Sequence, residues 1–328
     1  MAAQGDKPLL ICLMGPTASG KTDLAIELAE THNCELINVD SAQVYRGMDI
    51  GSAKSDYPHH LVDIRDPAEP YSVAEFCDDA QAAIIDIRAR GKTPLLVGGT
   101  MMYFKALIEG LSDMPAADKK LRAHLEREAA DKGWPHLHRM LEEADPDMAR
   151  RIHPNHSHRI SRALEVYLAT GITMTEWRKR QAKKGRGRLT DAYHTVQLAI
   201  APADRAVLHE RIERRVDVML EAGFAAEVKA LYDRGDLNHK LPAMRAAGYR
   251  ELWAYANGEF SLSRARQRTI EVTRQLAKRQ LTWLRKWPEL NWIYTAADGG
   301  AAASIEDLSI LPETPLAVAL KYLAPVPI

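Results

Sequence analysis

The stretch GPTASGKT, Gly15–Thr22, follows the apolar run Leu9–Met14 and precedes a helical pattern that begins at Asp23. Glycine tolerates backbone angles that other residues resist, so successive amides can curl around an anion at the positive end of the next helix. Lys21 would reach the outer phosphates, and the Thr22 hydroxyl would help to hold a Mg²⁺ ion. The spacing predicts a phosphate-binding loop formed by Gly15, Pro16, Thr17, Ala18, Ser19, Gly20, Lys21 and Thr22.

Apolar runs typical of buried strands recur along the chain, with helical patterns such as 72–90 and 204–234 between them. The runs occupy residues 9–14, 36–39, 94–97, 196–201 and 292–294. This alternation predicts an α/β fold with a P-loop-type, mainly parallel sheet flanked by helices. Ligands collect beyond the carboxyl ends of such strands, where the loop, Asp40 and Thr100 would lie.

Between residues 114 and 192 the strand pattern gives way to charged helical segments, best defined at Lys119–Lys132 and Arg159–Thr170. We therefore expect an inserted all-helical domain at 114–192 and a catalytic core formed by 1–113 with 193–328. Gly185 and Gly187 discourage helix within the basic run 178–188, which predicts a mobile basic loop there.

The composition places limits on the class of protein. The 328 residues include 44 basic and 44 acidic side chains, and the three isolated cysteines favour neither a disulfide framework nor a zinc module. The first residues do not resemble a secretion signal, and the apolar run after them is too short to span a membrane, so a cytoplasmic protein is expected.

Basic residues are concentrated in two stretches. Residues 150–190 hold 11 Lys or Arg against 2 acidic residues, and residues 261–287 hold 8 against 1. Such stretches suit a polyanionic partner, and they equally suit solvated helix faces.

Asp40 ends the apolar run Leu36–Val39, whereas the run 95–97 ends in Gly98-Gly99-Thr100. An ordinary nucleotide hydrolase or kinase places an Asp at the end of a second apolar strand to organise its metal. An acid beside a phosphate loop can hold a metal through water or accept a proton, and it can also simply cap the next turn.

Seven motifs in order make the chain resemble the tRNA dimethylallyltransferases over about residues 8–290. They are GPTASGKT, DSAQVYRGMDIGSAK from Asp40, PHHLVDIRDP from Pro58, GGTMMYFKAL from Gly98, HPNHSHRISRALEVY from His153, AAGYRELW from Ala246 and TRQLAKRQLTWLRKW from Thr273. An ordered set of this length is far more specific than a phosphate loop alone.

The resemblance implies transfer of a dimethylallyl group from dimethylallyl diphosphate to N6 of adenosine 37 in the tRNA anticodon stem-loop, with Mg²⁺. It further implies that the loop holds the diphosphate, that Asp40 is the base, that Thr100 lies at the reaction centre and that Arg215 reaches the diphosphate. Arg211 lies one helical turn from Arg215, so spacing alone does not choose between them.

The same resemblance implies a broad tRNA-binding surface. Its residues are Asp40, Ser41, Ala42, Gln43, Thr100, Arg122, His158, Arg159, Ile160, Ser161, Arg162, Arg245, Ala246, Ala247, Gly248, Tyr249 and Arg250. Helical spacing adds a phosphate-tracking face formed by Arg274, Lys278, Arg279 and Arg285.

Some neighbouring residues are assigned to packing. Trp283 and Trp287 are assigned to the core, with stacking platforms for bases as the alternative. His59 and His60 could suggest a metal site, but no third ligand lies nearby in the sequence, so packing at the pocket is favoured.

Three other functions remain open from the residues alone. The loop could serve an ATP-dependent small-molecule kinase, although the strand at 95–97 lacks the expected Asp. A prenyltransferase acting on free adenine nucleotide would leave the insertion without a role, and a non-catalytic RNA-binding protein would not need Asp40. A monomer without membrane attachment is expected.

Overall fold

The computed structural model describes residues 7–110, 114–115, 118–184, 189–310 and 312–324, with the backbone alone at 119 and 181–184. The chain divides into two compact units. A core unit contains residues 1–108 and 189–328, and a helical unit contains residues 109–188.

The core unit is built on a seven-stranded sheet with the order β3-β2-β4-β1-β5-β6-β7. All neighbouring pairs from β3 to β6 are parallel, and β7 pairs with β6 in the antiparallel sense. The strands are β1 Leu9–Met14, β2 Cys34–Val39, β3 His59–His60, β4 Thr93–Gly98, β5 His194–Pro202, β6 Asn291–Thr295 and β7 Ala301–Ala302.

Helices surround this sheet and form the second unit. In chain order they are α1 Lys21–Thr31, α2 Val73–Ala89, α3 Met101–Glu109, α4 Lys119–Lys132, α5 Trp134–Ala144, α6 Pro146–Ala149, α7 Ser157–Thr170, α8 Met174–Lys184, α9 Leu189–Ala192, α10 Arg205–Glu221, α11 Phe224–Asp233, α12 Tyr249–Ala256, α13 Leu262–Leu284, α14 Ile305–Leu308 and α15 Pro315–Leu323. A short 3₁₀ turn, Ala243–Arg245, precedes α12.

The central strand β1 shows why its sequence is apolar throughout. Leu10, Cys12 and Met14 pack into one apolar cluster, while Leu9, Ile11 and Leu13 pack into the cluster on the opposite face. Side chains alternate along a strand, so a sheet covered on both faces requires apolar residues at every position.

The structure confirms the predicted α/β class and all five predicted strands, to within a few residues at their ends. The helical pattern at 204–234 is confirmed as two helices, because Gly223 adopts φ 102° and separates α10 from α11. The two-residue strands β3 and β7 lie at the sheet edges and were too short to give an apolar pattern.

The helical unit has its own core. Leu125, Leu137, Leu141, Ile160 and Leu164 are among the buried residues of one apolar cluster formed by α4 to α8. The predicted basic loop at 178–188 is corrected in part, because α8 continues through Lys184. Residues 185–188 lie outside the described part of the chain.

None of the helices in the described residues combines the length and the apolar content needed to cross a bilayer.

Candidate active site

A cavity of about 650 Å³ opens where β1, β2 and β4 end. Its walls come from the core unit: the phosphate-binding loop, the segment after β2, the loop after β4, the turn before α12, and one side each of α10 and α13. Parallel strands bring their carboxyl ends to one edge, so three loops distant in sequence meet here.

The loop between β1 and α1 has the geometry expected for an anion cradle. Gly20 adopts φ 88° at the N-cap of α1, an angle that residues with a Cβ resist. Ser19 is buried and its hydroxyl has no hydrogen-bond partner in the described residues. Lys21 Nζ donates to Pro16 O over 3.2 Å. A hydroxyl and an ammonium are therefore held at a helix N-terminus, where anions are stabilised.

Two cations face the cavity close to one carboxylate. Burial, followed by the charge of Arg215, lowers the pKa of Lys21 to about 8, while Asp40 acts in the opposite direction. Burial also lowers the pKa of Arg215, again opposed by Asp40. Within the described residues the Arg215 guanidinium makes no hydrogen bond or ion pair at contact distance. Two cations that repel each other across a cavity call for an anionic ligand between them.

Asp40 is half-buried directly after β2. Its Oδ1 accepts the N–H of Ala42 over 2.8 Å, so it does cap the turn that follows the strand. No hydrogen bond reaches Oδ2 from the described residues. One carboxylate oxygen thus fixes the orientation of the group and leaves the other available for a substrate proton.

Thr100 is tied to the same turn. Thr100 Oγ1 accepts the N–H of Ser41 over 3.1 Å, and the Thr100 N–H donates to Val39 O over 3.1 Å. The segment after β2 and the loop after β4 are therefore held together beside Asp40.

Gln280 on α13 links two of the loops and was missed in the sequence. Its Oε1 accepts the N–H of Thr17 over 3.0 Å, and its Nε2 donates to Gly99 O over 2.9 Å. A Cβ on Gly99 would lie 2.4 Å from this Nε2, so any larger residue there would push the Gln280 amide out of this position. The sequence signal that pointed to a role for α13 in the site was the motif from Thr273 to Trp287.

Glu227 on α11 holds the segment after β2 from another side and was also missed. Its carboxylate accepts the N–H groups of Asp49, Ile50 and Gly51 at 2.7–3.1 Å. The Tyr249 hydroxyl donates to it over 2.6 Å. No sequence pattern links a carboxylate at 227 to amides at 49–51.

The predicted tRNA-binding stretch 245–250 lies on the cavity wall, to which Arg245, Ala246, Ala247, Tyr249 and Arg250 contribute. Tyr249 is fully buried and bonded to Glu227, and burial raises the pKa of its hydroxyl. Its role is therefore to shape the wall. Arg250 pairs with the buried Glu251, which also accepts the N–H of Gly248.

The predicted tRNA-binding residues 122 and 158–162 lie in the helical unit. Buried Glu165 accepts from Arg122 Nε over 2.9 Å and from Arg162 over 3.1 Å. His158 and Arg159 are exposed, and Ser161 is half-buried. Ile160 is fully buried in the unit's core, so packing rather than contact with RNA accounts for its side chain.

The structure separates Arg215 from Arg211. Arg215 lines the cavity, whereas Arg211 donates to Ala296 O over 3.1 Å. The acidic residues next to Arg211 and Arg215 form ion pairs with other arginines. Glu210 pairs with Arg214, and Glu213 pairs with Arg266 and Arg274.

The prediction that Arg274, Lys278, Arg279 and Arg285 form one basic face of α13 is wrong. Val272, Leu276, Arg279 and Trp283 recur at spacings of four, three and four, and all line the cavity. Arg274 lies on another side of the helix and pairs with Glu213 over 2.9 Å.

The assignment of both tryptophans to the core is half wrong. Trp287 packs against the core and its Nε1 donates to Gln197 over 2.7 Å. Trp283 is 41% exposed at the cavity.

The two histidines make separate contacts. His60 pairs with Glu35 over 2.8 Å, and His59 lines the cavity with Nδ1 2.6 Å from Tyr57 O. The described residues contain no group of three or more His, Cys, Asp or Glu side chains placed to hold a metal.

A family model described as IPP transferase matches residues 43–287, and one described as isopentenyl transferase matches residues 9–61. The chain belongs to the IPP transferase family. The two models together span the loop, Asp40, Arg215 and Gln280.

Solved structures agree with this assignment. A tRNA isopentenylpyrophosphate transferase from Bacillus halodurans is 37% identical, with a TM-score of 0.64 over 97% of this chain and 98% of that one. A tRNA isopentenylpyrophosphate transferase from Staphylococcus epidermidis is 34% identical, with a TM-score of 0.64 over 97% and 99%.

A eukaryotic dimethylallyltransferase described as acting on tRNA is 27% identical, with a TM-score of 0.76 over 98% of this chain and 81% of that one. These relatives are prenyltransferases, and this chain is an enzyme of their family. The kinase alternative is not favoured.

Proposed function

We propose that this enzyme transfers a dimethylallyl group from dimethylallyl diphosphate to N6 of adenosine 37 in the anticodon loop of tRNA, releasing diphosphate. The observation that carries the proposal is one cavity that holds Lys21, Arg215, Asp40 and Thr100 together. The relatives that act on tRNA or use an isopentenyl donor support the two substrates.

The donor diphosphate would lie against the loop 15–22 and between Lys21 and Arg215. Cleavage of the allylic C–O bond leaves both bonding electrons on the diphosphate. Cations already in place therefore bind the leaving group more strongly in the transition state than in the ground state. Lys21 and Arg215 also repel each other in the free enzyme, and this repulsion favours binding of the anionic diphosphate between them.

Mg²⁺ fits the residues at this position. Thr22 lines the cavity and offers a hydroxyl oxygen, and Mg²⁺ is commonly held by one or two protein oxygens together with substrate phosphates and water. When bound, the ion would neutralise charge on the diphosphate.

Asp40 would serve the acceptor. Adenine N6 is a weak nucleophile because its lone pair is delocalised into the ring. As the N6–C bond forms, its proton would pass to Asp40, whose orientation is fixed by the N–H of Ala42. Thr100, bonded to the same turn, would contact the nucleotide beside the reacting atoms.

The adenosine would leave the anticodon-loop stack to enter the cavity, with contacts to the RNA backbone from the stretch 245–250 and from the exposed residues His158 and Arg159. Arg122 and Arg162 would support this surface through their bonds to Glu165. We further propose a monomeric, cytoplasmic enzyme. The three cysteines are buried and free, which suits a reducing compartment.

The test combines enzyme, Mg²⁺, dimethylallyl diphosphate and tRNA lacking the modification, with nucleoside mass analysis of the product. We expect prenylated adenosine at position 37 and no ATP turnover above background. ATP-dependent phosphorylation without a tRNA product would contradict the proposal, and so would prenylation of free adenine nucleotide in preference to tRNA.

A further inference from the structure

Phe224 forms a closed part of the cavity wall. It lies at the start of α11, lines the cavity and is only 1% exposed. Met102 on α3 lines the same cavity and is 53% exposed. The cavity is therefore open to solvent at Met102 and closed at Phe224.

Two glycines make room for the Phe224 ring. A Cβ on Gly51 would lie 2.0 Å from Phe224 Cε2, and a Cβ on Gly248 would lie 2.9 Å from Phe224 Cε1. The ring of Tyr249 packs edge-on against it, with 5.0 Å between the ring centroids. Because backbone closes in on two sides and an aromatic ring on a third, the Phe224 ring cannot swing aside to admit a longer ligand.

The backbone on one side of this ring is itself fixed by Glu227, which follows Phe224 by one turn of α11. The Glu227 carboxylate accepts the N–H groups of Asp49, Ile50 and Gly51 at 2.7–3.1 Å. Hydrogen bonds to an ionised acceptor are stronger than those between neutral groups. The helix that carries the ring and the segment against which the ring packs are therefore joined firmly.

The distance from the diphosphate site to Phe224 fits a short prenyl group. Arg215, Val216 and Met219 line the cavity from α10, and Phe224 follows shortly after that helix ends. Met219 lies about 6 Å beyond Arg215 along the helix axis. Val216 and Met219 are buried and apolar, as the shielding of a reactive allylic cation requires. A diphosphate held at Arg215 therefore places a dimethylallyl group beside these two side chains, with the Phe224 ring beyond it.

We propose that Phe224 restricts the donor to the dimethylallyl group, because its ring occupies the space that the next isoprene unit of a longer donor would need. Glu227 is a positioning residue that keeps the ring in this place. The inference rests on the proposed function, and it names the residue that selects the donor of that reaction.

The first experiment compares dimethylallyl diphosphate with its next longer homologue, geranyl diphosphate, in the wild type and in Phe224→Ala. The phenyl ring that is removed has a volume similar to that of the additional isoprene unit. The ratio of kcat/KM for geranyl diphosphate to kcat/KM for dimethylallyl diphosphate should therefore rise about a hundredfold. Mass analysis of the modified nucleoside identifies the group transferred, and the Kd for tRNA should stay within about twofold of the wild-type value.

Phe224→Leu repeats the test in a variant that keeps a large apolar side chain, so that folding is preserved. We expect the same ratio to rise about tenfold. The matched control is Phe104→Leu, because Phe104 is fully buried in the same apolar cluster and lies outside the cavity wall. An unchanged ratio in the Phe224 variants, or an equal rise in the control, would overturn the proposal. Equal use of the two donors by the wild type would also overturn it.

Glu227→Gln tests the positioning role. The amide keeps one acceptor oxygen for the N–H groups of 49–51, so the ring is held less firmly and the donor ratio should rise about fivefold. A loss of stability with an unchanged ratio would limit Glu227 to stabilising the fold and contradict this role. Failure of the proposed function is distinguishable, because the wild type would then prenylate tRNA with neither donor.

Discussion

Two groups of basic residues were expected to meet phosphate, and the structure treats them differently. In the core unit, Lys21 and Arg215 face a cavity, and Asp40 is the nearby carboxylate. In the helical unit, Arg122 and Arg162 both bond to Glu165, a carboxylate only 1% exposed. Lys21 and Arg215 are therefore placed to bind an anionic ligand, whereas Arg122 and Arg162 are already paired with the Glu165 carboxylate.

This difference distinguishes basic residues that bind a ligand from basic residues that stabilise the fold. A buried carboxylate is costly unless it is paired, so Arg122 and Arg162 stabilise the fold of the helical unit before any RNA arrives. Lys21 and Arg215 are held close despite their repulsion, which is unfavourable for folding and useful only when a ligand binds. Basic residues in two parts of the chain therefore have two different roles. Those in the cavity bind a ligand, and those in the helical unit stabilise the fold.

The largest expected effect concerns the carboxylate in the cavity. Asp40→Asn keeps an oxygen that can accept the N–H of Ala42 and removes the base, so kcat should fall roughly a thousandfold. Steady-state kinetics and tRNA-binding measurements check this. The Kd for tRNA should not change; a Kd that rises in step with the loss of kcat would make Asp40 a docking residue.

The substitution Arg162→Met tests whether the basic residues of the helical unit stabilise its fold. Removing this guanidinium leaves Glu165 short of one partner, and the free energy of unfolding should fall by about 2–4 kcal/mol. Denaturant unfolding followed by circular dichroism measures it. Arg159→Met is the control, because Arg159 is exposed on the same helix; an equal loss in the control would mean that Glu165 is not the reason.

A dependence on pH should distinguish the cavity cations. Only the protonated Lys21 attracts the diphosphate, and its pKa of about 8 in the free enzyme means that the charge is lost above that pH. The KM for dimethylallyl diphosphate should therefore rise about tenfold per pH unit above 8. In Lys21→Arg the break near pH 8 should disappear; a break that persists there would belong to another group.

The smallest effect is expected at the link between the loops. Gln280→Leu leaves the Thr17 N–H and the Gly99 carbonyl without partners, so we expect about a fivefold increase in the KM for the donor. Affinity for tRNA should remain unchanged. The matched control is Gln275→Leu on the exposed side of α13. A tRNA-specific defect at Gln280 would show that the residue acts on the acceptor.

The main features of the core fold were predictable because they depend on local patterns. The run Leu9–Met14 is apolar on both faces, and the phosphate-loop motif fixes a strand before it and a helix after it. The break at Gly223 and the two short edge strands depend on single residues and on pairing across the sheet, so no local pattern announces them.

The site was predictable where motifs carry it and not where side chains cross between elements. Asp40 and the loop 15–22 were identified from residues, whereas Gln280 and Glu227 bond to backbone groups far away in the chain. Helical spacing alone grouped Arg279 with Arg274. The side of α13 that faces the cavity became known only from its packing.

The central claim is that Lys21 and Arg215 form the site for the donor's diphosphate. Calorimetric titration of inorganic diphosphate with Mg²⁺ into the wild type, Arg215→Met and Arg211→Met tests it directly. We predict that Arg215→Met weakens binding about tenfold or more, while Arg211→Met, which removes only a bond to Ala296 O, binds as the wild type does. Equal losses in the two variants, or none in Arg215→Met, would contradict the account.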